Sequence, residues 1–301
     1  MNTISFDTTD QLTNLLEEAP DGAVLVNKPL LSESSIPERN LAVGVDFDGT
    51  AIHFNNQLTH WQEVRRPERR LISDAGRAEM VKHYRRWGRD RSKTGQKMWA
   101  DETYHVYHNE GVTRQNLIDL GKLLDLRNGF TQLVGTVIAN TGALAVVTYG
   151  MDTVVEACLG KTGFAVVSGN RPTSRADSIF LYAETIAFES HHPFAVITER
   201  GVRPRSGRVL GYNKHLYMAR HAERLGVPPE NVVFLGDAIH DLTARGKGTG
   251  VILHHREAEQ YRPEPSDLVE NAQYIVVGSD LKPFEELLLE MLKPHQPITV
   301  R

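Results

Sequence analysis

Asp46 and Asp48 stand two residues apart in Val45-Asp46-Phe47-Asp48-Gly49-Thr50, directly after the apolar run 41–45. Positions i and i+2 of an extended chain project to the same side, so both carboxylates share a face where a buried strand ends. Like charges about 4 Å apart repel by roughly 4 kcal/mol in an effective dielectric near 20. A fold keeps such a pair when a cation, a shared proton or a reaction needs it. Taken alone, the hexapeptide also reads as a polar turn, for which Asp, Gly and Thr are ordinary choices. Three other places bring a charge or a hydroxyl to a strand or helix end. Thr148 follows the apolar run 143–147, Lys214 opens a helical stretch, and Gly236-Asp237-Ala238-Ile239-His240-Asp241 follows the run 231–235. If a helix begins there, Asp237 and Asp241 share one face of its first turn, near the positive end of the dipole. Helix capping explains that pair as well, and a solvated surface lysine explains Lys214.

Together these groups suit phosphoryl transfer. A metal held by carboxylates neutralises phosphate charge, a lysine adds to it, and a hydroxyl orients an oxygen. One carboxylate serves as nucleophile; a second protonates the leaving oxygen and then activates water. An all-oxygen cluster fits Mg2+ better than zinc.

The elements that must position these groups alternate. Strands are expected at 41–45, 143–147, 164–167, 231–235, 250–253 and 274–277, and helices at 152–159 (closed by Gly160), 214–225 (followed by Gly226) and 283–292. Continuous apolar strands alternating with helices imply a parallel sheet covered on both faces, with ligands beyond the carboxyl ends of its strands. Residues 1–40 read as one helix over 10–18, with Thr8 or Thr9 as N-cap and Pro20-Asp21-Gly22 as its end. From 54 to 127 charge and aromatics dominate and no strand run is evident, while 116–126 has helical leucine spacing; this reads as a helical insertion.

The 301 residues suffice for one large domain or two smaller ones. A net charge of −4 argues against a general nucleic-acid surface. Cys158 is the single cysteine, so no internal disulfide or cysteine cluster exists, which favours a reducing, cytoplasmic setting. No long uncharged apolar segment suits a membrane, no basic-then-apolar leader opens the chain, and no solenoid repeat is present.

The four motifs, Asp46-Phe47-Asp48-Gly49-Thr50, Thr148, Lys214 and Gly236-Asp237-Ala238-Ile239-His240-Asp241, resemble in order those of the haloacid dehalogenase superfamily of phosphatases. Within it, Asn213-Lys214-His215, the 231–242 stretch, 274–281 and Trp61-Gln62-Glu63-Val64 are most similar to the cytosolic pyrimidine 5′-nucleotidases of the type III group. The resemblance implies an α/β fold: a Rossmann-like core of 1–53 and 128–301 and a helical cap, 54–127, inserted after the first strand. It implies a phosphomonoester hydrolase acting through an aspartyl-phosphate. Asp46 is then nucleophile and metal ligand, and Asp48 is general acid and base with its carbonyl on the metal. Thr148 and Lys214 hold phosphoryl oxygens, Asp237 ligates Mg2+, and Asp241 orients the metal's waters or Lys214. Glu63 contacts the leaving group, or pairs with Arg65 or Arg66 as an exposed acid. The implied partner is a small phosphate monoester, a nucleotide in the first instance. No nucleic-acid polymer or membrane is expected. A phosphoserine-like substrate fits a cap in the same place, and a non-catalytic phosphate-binding protein is the reading from another class.

Departures from that group bear on the substrate. Thr148-Tyr149-Gly150 stands where the group has Ser-Ala-Gly, about 169–207 does not align with it, and the cap carries Arg65, Arg66, Arg69, Arg70, Arg85, Arg86, Arg89 and Arg91. Such arginines read more simply as solvated helix faces. Trp61, Trp87 and Trp99 read as packing between cap and core, Cys158 as inert core, and Thr50 as satisfying backbone groups of the turn. His191-His192 and His254-His255 read as structural, since no carboxylate or cysteine lies at ligand spacing.

Overall fold

The computed structural model describes residues 2–32, 40–53, 72–83, 109–169, 177–184, 214–255 and 263–293, with a few single positions between 85 and 107. Among them, nine strands form one sheet: β1 (Asn2–Phe6), β2 (Ala23–Asn27), β3 (Ala42–Val45), β4 (Ala143–Met151), β5 (Ala165–Ser168), β6 (Ser178–Glu184), β7 (Val232–Gly236), β8 (Thr249–His254) and β9 (Tyr274–Val277). Their order is β1-β2-β9-β8-β7-β3-β4-β6-β5. Every pairing is parallel except β2 with β9, which is antiparallel. The fold is the expected α/β class, although the sheet is mostly rather than wholly parallel.

β3 and β7 lie side by side at the centre, Val45 opposite Leu235. Both are buried throughout, so their side chains alternate between two packed faces. Val43, Val45, Val233 and Leu235 join the larger core beneath α5 (Phe130–Thr141), α6 (Asp152–Leu159) and α9 (Lys282–Leu292). Ala42, Val232 and Phe234 face α7 (Lys214–Leu225), which contributes Tyr217, Met218 and Ala222. A third cluster pairs β2, β8 and β9 with α1 (Thr9–Glu18) and α8 (Pro265–Asn271).

Several expectations change in detail. Thr8, not Thr9, caps α1, accepting from the Gln11 amide at 3.3 Å. The reading of 1–40 as one helix missed β1, β2 and the short helix α2 (Lys28–Ser32), and β6 lies inside the segment 169–207 that did not align. Gly160 caps α6 as expected, but its backbone stays right-handed and the chain tightens into a 3-10 turn, Gly160–Thr162. Gly163, at φ +79°, makes the left-handed stop.

The 54–127 stretch is described in part. α3 spans Asp74–His83 and α4 spans Arg114–Leu123, with a capping box between Thr113 and Asn116. Leu117 and Leu120 of α4 belong to the larger core, and Gly121 lies so close to α6 that a Cβ there would sit 2.2 Å from the Val154 carbonyl. Arg85 and Arg86 are exposed. Trp61, Trp87, Trp99, the remaining cap arginines and His191-His192 lie outside the described residues. No described helix is long and apolar enough to cross a membrane. Cys158 is fully buried and burial pushes its thiol up to about 12, so the inert reading holds.

α7 carries a buried histidine away from the sheet rim. His221 packs against Phe180 at 5.7 Å and Tyr182 at 6.4 Å between ring centroids. Burial, then the charge of Arg224, lower its pKa from 6.5 to about 4. The unfolded chain therefore takes up the proton near 6.5 and the folded chain only near 4, so stability is lost as pH falls between them. The loss amounts to about 3 kcal/mol. Urea unfolding of the protein at pH 7 and pH 4.5 is expected to show it, and His221→Phe is expected to remove most of it. A variant as acid-sensitive as the parent would assign the effect to another group.

Candidate active site

The carboxyl end of β3 delivers Asp46, whose amide donates to the Leu235 carbonyl of β7 at 2.9 Å. The chain then turns through Phe47–Ala51 in a single wide π-type turn. It is not a regular helix, because Asp48 (φ −70°, ψ 127°) and Gly49 (φ +74°, ψ −12°) leave the helical region. Gly49 is required twice over: its φ is left-handed, and a Cβ would fall 2.3 Å from Asp237 Oδ2. Asp48 lies close enough for its charge to raise the Asp46 carboxyl.

Lys214 arrives from the first residue of α7. Its approach depends on Gly44 in β3, where a Cβ would meet Met218 Sδ at 2.3 Å; only glycine lets α7 lie this close to the sheet. The ammonium is fully buried and donates to Asp46 Oδ1 at 2.7 Å and Asp241 Oδ1 at 2.5 Å. The unfavourable meeting of a cation with a helix start is offset by two charge-assisted hydrogen bonds. Burial alone would lower the Lys214 pKa, but Asp241 and Asp46 outweigh it and hold the group protonated.

β7 ends at Gly236, and a 3-10 turn, Ile239–Arg245, follows. Asp237 precedes that turn rather than lying in its first residues, as the four-residue spacing had suggested. Asp241 satisfies both sequence readings at once. Its Oδ2 accepts the Ala238 amide at 3.0 Å, a capping contact, while Oδ1 takes Lys214. Burial would raise its carboxyl, but Lys214, His240 and these hydrogen bonds hold it below the usual range.

Thr148 lies one strand over, two residues beyond Val146, which pairs with Val45. The β4–β6 register slips between Val147 and Met151, an irregularity of the kind that re-aims side chains at functional rims. Thr148 is buried, and its hydroxyl accepts the Gly150 amide at 2.9 Å. Thr50 departs from expectation: its hydroxyl is buried with no hydrogen-bond partner among the described residues, so it satisfies no backbone group there. Glu63 and Asn213 lie outside the described residues.

Asp46, Asp237 and Asp241 each place a carboxylate oxygen within 4.8 Å of the others. The Asp46 carboxyl is held well above the usual range, first by burial and then by Asp241, Asp237 and Asp48, against the pull of Lys214. This cluster of three carboxylates offers oxygen donors of the kind a hard divalent cation takes. Both Asp241 oxygens are already engaged, so Asp46 and Asp237 are the carboxylates best placed to meet such an ion.

One residue that the sequence analysis read as structural lies beside the site, and another escaped it. His255 is buried with Nε2 3.8 Å from Asp237 Oδ2, a neighbour far away along the chain. Arg127, 2% exposed, donates to four backbone carbonyls around the Asp48 turn. Nothing in the local sequence separates that arginine from the surface arginines before it.

Solved structures share this architecture. A cytosolic 5′-nucleotidase IIIB bound to cytidine matches with a TM-score of 0.58 at 11% identity, over 93% of this chain and 98% of that one. A phosphoserine phosphatase holding a phospho-aspartyl intermediate analogue matches at 0.51 and 14% identity, over 85% of this chain and 100% of that one. A probable phosphoserine phosphatase from Vibrio cholerae matches at 0.55 and 16% identity, over 85% and 67% respectively. No protein-family model and no curated protein sequence matches the chain. At these identities the likeness is one of fold: the chain has the α/β fold of these phosphatases, as the four motifs implied.

Proposed function

We propose that the protein is a phosphomonoester hydrolase, a phosphatase with Asp46 as its nucleophile. The observation that carries this reading is the meeting of Asp46, Lys214, Asp237 and Asp241 at one sheet rim. Asp46 attacks phosphorus and the ester oxygen leaves, giving an aspartyl-phosphate on Asp46. Asp48 gives its proton to that leaving oxygen and then takes one from the water that cleaves the aspartyl-phosphate. Thr148 and Lys214 hold the phosphoryl oxygens, and Asp241 aims Lys214. Asp46 and Asp237, with the Asp48 carbonyl, would hold a divalent cation, Mg2+ by donor chemistry, and that ion would supply charge neutralisation for the transferring group.

The substrate is a small monoester, for which a nucleoside 5′-monophosphate is our first choice. The motif likeness to type III 5′-nucleotidases supports it, together with the fold shared with a nucleotidase that holds cytidine. Selection of the leaving group is assigned to the segment between Ile52 and Leu126, which pair as an antiparallel bridge where it leaves and rejoins the core; Glu63 falls within it. Phosphoserine phosphatases share the fold as well, so an amino-acid phosphate is the competing substrate. A single cysteine supports a cytoplasmic setting.

The test is a panel of nucleotide, amino-acid and sugar phosphates compared by kcat/KM, with and without chelator. Nucleoside monophosphates are expected to rank first, and excess chelator to stop turnover until Mg2+ is restored. Better turnover of an amino-acid or sugar phosphate overturns the nucleotide assignment. Full activity in chelator overturns the metal assignment.

A further inference from the structure

We propose that Arg127 is a positioning residue that holds Asp48 in line with the leaving group by clamping the turn that carries it. The proposal rests on the phosphatase reading above and adds to it a residue outside the four motifs. Leu126 pairs with Ile52 where the chain re-enters the core. The next residue, Arg127, bonds its own amide to the Ala51 carbonyl at 2.8 Å and folds its side chain back under the turn. Nε donates to the Thr50 carbonyl at 3.0 Å, Nη2 to Gly49 at 2.7 Å and to Ile52 at 3.3 Å, and Nη1 to Ser279 at 3.1 Å. Three of these carbonyls belong to the turn in which Asp48 and Gly49 leave helical geometry, and the fourth, Ser279, to the corner after β9. A buried carbonyl left unmade is costly, and only a guanidinium offers enough donors in one rigid plane to meet several at once.

The consequence for chemistry follows from Gly49. It is bonded to Asp48 on one side, and its α-carbon rests against Asp237, with no room for a Cβ. The Gly49 carbonyl that Arg127 grips at 2.7 Å lies one peptide beyond Asp48, so the grip fixes the path of the chain that carries Asp48. The same guanidinium reaches the corner after β9, where Leu281 donates to Asn128 at 3.0 Å. Arg127 thus ties the Ile52–Leu126 bridge, the Asp48 turn and the β9 corner together. An error of about 1 Å in a reacting group costs on the order of 10²-fold.

The test is Arg127→Lys, which keeps the charge and loses the fork, with Arg127→Ala for chemical rescue. If Arg127 aims Asp48, kcat/KM of Arg127→Lys falls about 10²-fold on an alkyl phosphate, whose leaving oxygen needs a proton. It falls far less on p-nitrophenyl phosphate, whose leaving group needs none, and inorganic phosphate binds as in the parent. Millimolar guanidinium restores part of the alkyl-phosphate activity of Arg127→Ala, whereas tetramethylammonium at equal ionic strength does not. Equal loss on both substrates, or no loss, overturns the proposal. Should Arg127→Ala fail to fold, the leaving-group comparison on Arg127→Lys decides alone. Hydrogen exchange read on Arg127→Lys separates this from the phosphatase reading. If the parent cleaves no monoester, that reading fails, while faster exchange confined to 48–52 still supports the clamp and unchanged exchange overturns it.

Discussion

Asp46→Asn is expected to lower turnover of every phosphate monoester by about 10⁴-fold or more, since removal of a nucleophile from a cooperating set removes most of what the set contributes. The fold is expected to survive. Asp46 is buried beside Asp48, Asp237 and Asp241, and its carboxyl is held well above the usual range, burial being the first cause. A raised folded pKa means that the neutral form favours folding and that stability falls as pH rises through that pKa. An amide is neutral at all these pH values, has the same shape, and still offers Oδ1 to Lys214. In chelator at neutral pH, the melting temperature of Asp46→Asn is therefore expected to equal or exceed that of the parent. Parent-like hydrolysis of an aryl phosphate by the purified variant would remove Asp46 from the role of nucleophile. Lost activity accompanied by a large drop in melting temperature would show that the loss was structural.

Lys214→Met is expected to do the opposite to stability while also ending activity. The ammonium is fully buried between Asp46 and Asp241, and methionine keeps much of its volume without its charge. Removing one partner of a buried ion pair costs about 3–5 kcal/mol, because the remaining charges stay desolvated, against a typical total of about 5–15 kcal/mol. Denaturant unfolding measures the drop. Adding Asp241→Asn to Lys214→Met is expected to recover part of the stability and none of the activity, because the second change relieves the stranded carboxylate without restoring a cation for the phosphoryl group. If the double variant is less stable than Lys214→Met alone, Asp241 does not depend on Lys214 as its geometry implies.

Some of this architecture was legible in the chain because it is local. The apolar runs leading to Asp46, Thr148 and Asp237 read as strands, and the strands are there, within a residue or so at their starts. The helix opening at Lys214 and its glycine stop at 226 follow from periodicity and a left-handed terminator. β1, β2 and β6 were missed. β6 stands between β4 and β5 without a helical signal nearby, and β2 takes the opposite direction to β9. Direction and neighbour are set by hydrogen bonds to distant chain, which periodicity does not encode. His255 was set aside because no carboxylate was read at a ligand spacing; the fold brings Asp237 to within 3.8 Å of it.

The sequence by itself determined which groups are available: carboxylates, a lysine and a hydroxyl, each set at the end of an element by local spacing and propensity. Tertiary structure alone decided how they are shared. Lys214 meets Asp46 across 168 residues, both oxygens of Asp241 are committed, and a buried arginine indistinguishable from its surface neighbours grips the turn behind Asp48. Distances of about 3 Å between remote residues arise from close packing of α7 and the 47–52 turn onto the sheet, a property of the whole core rather than of any segment.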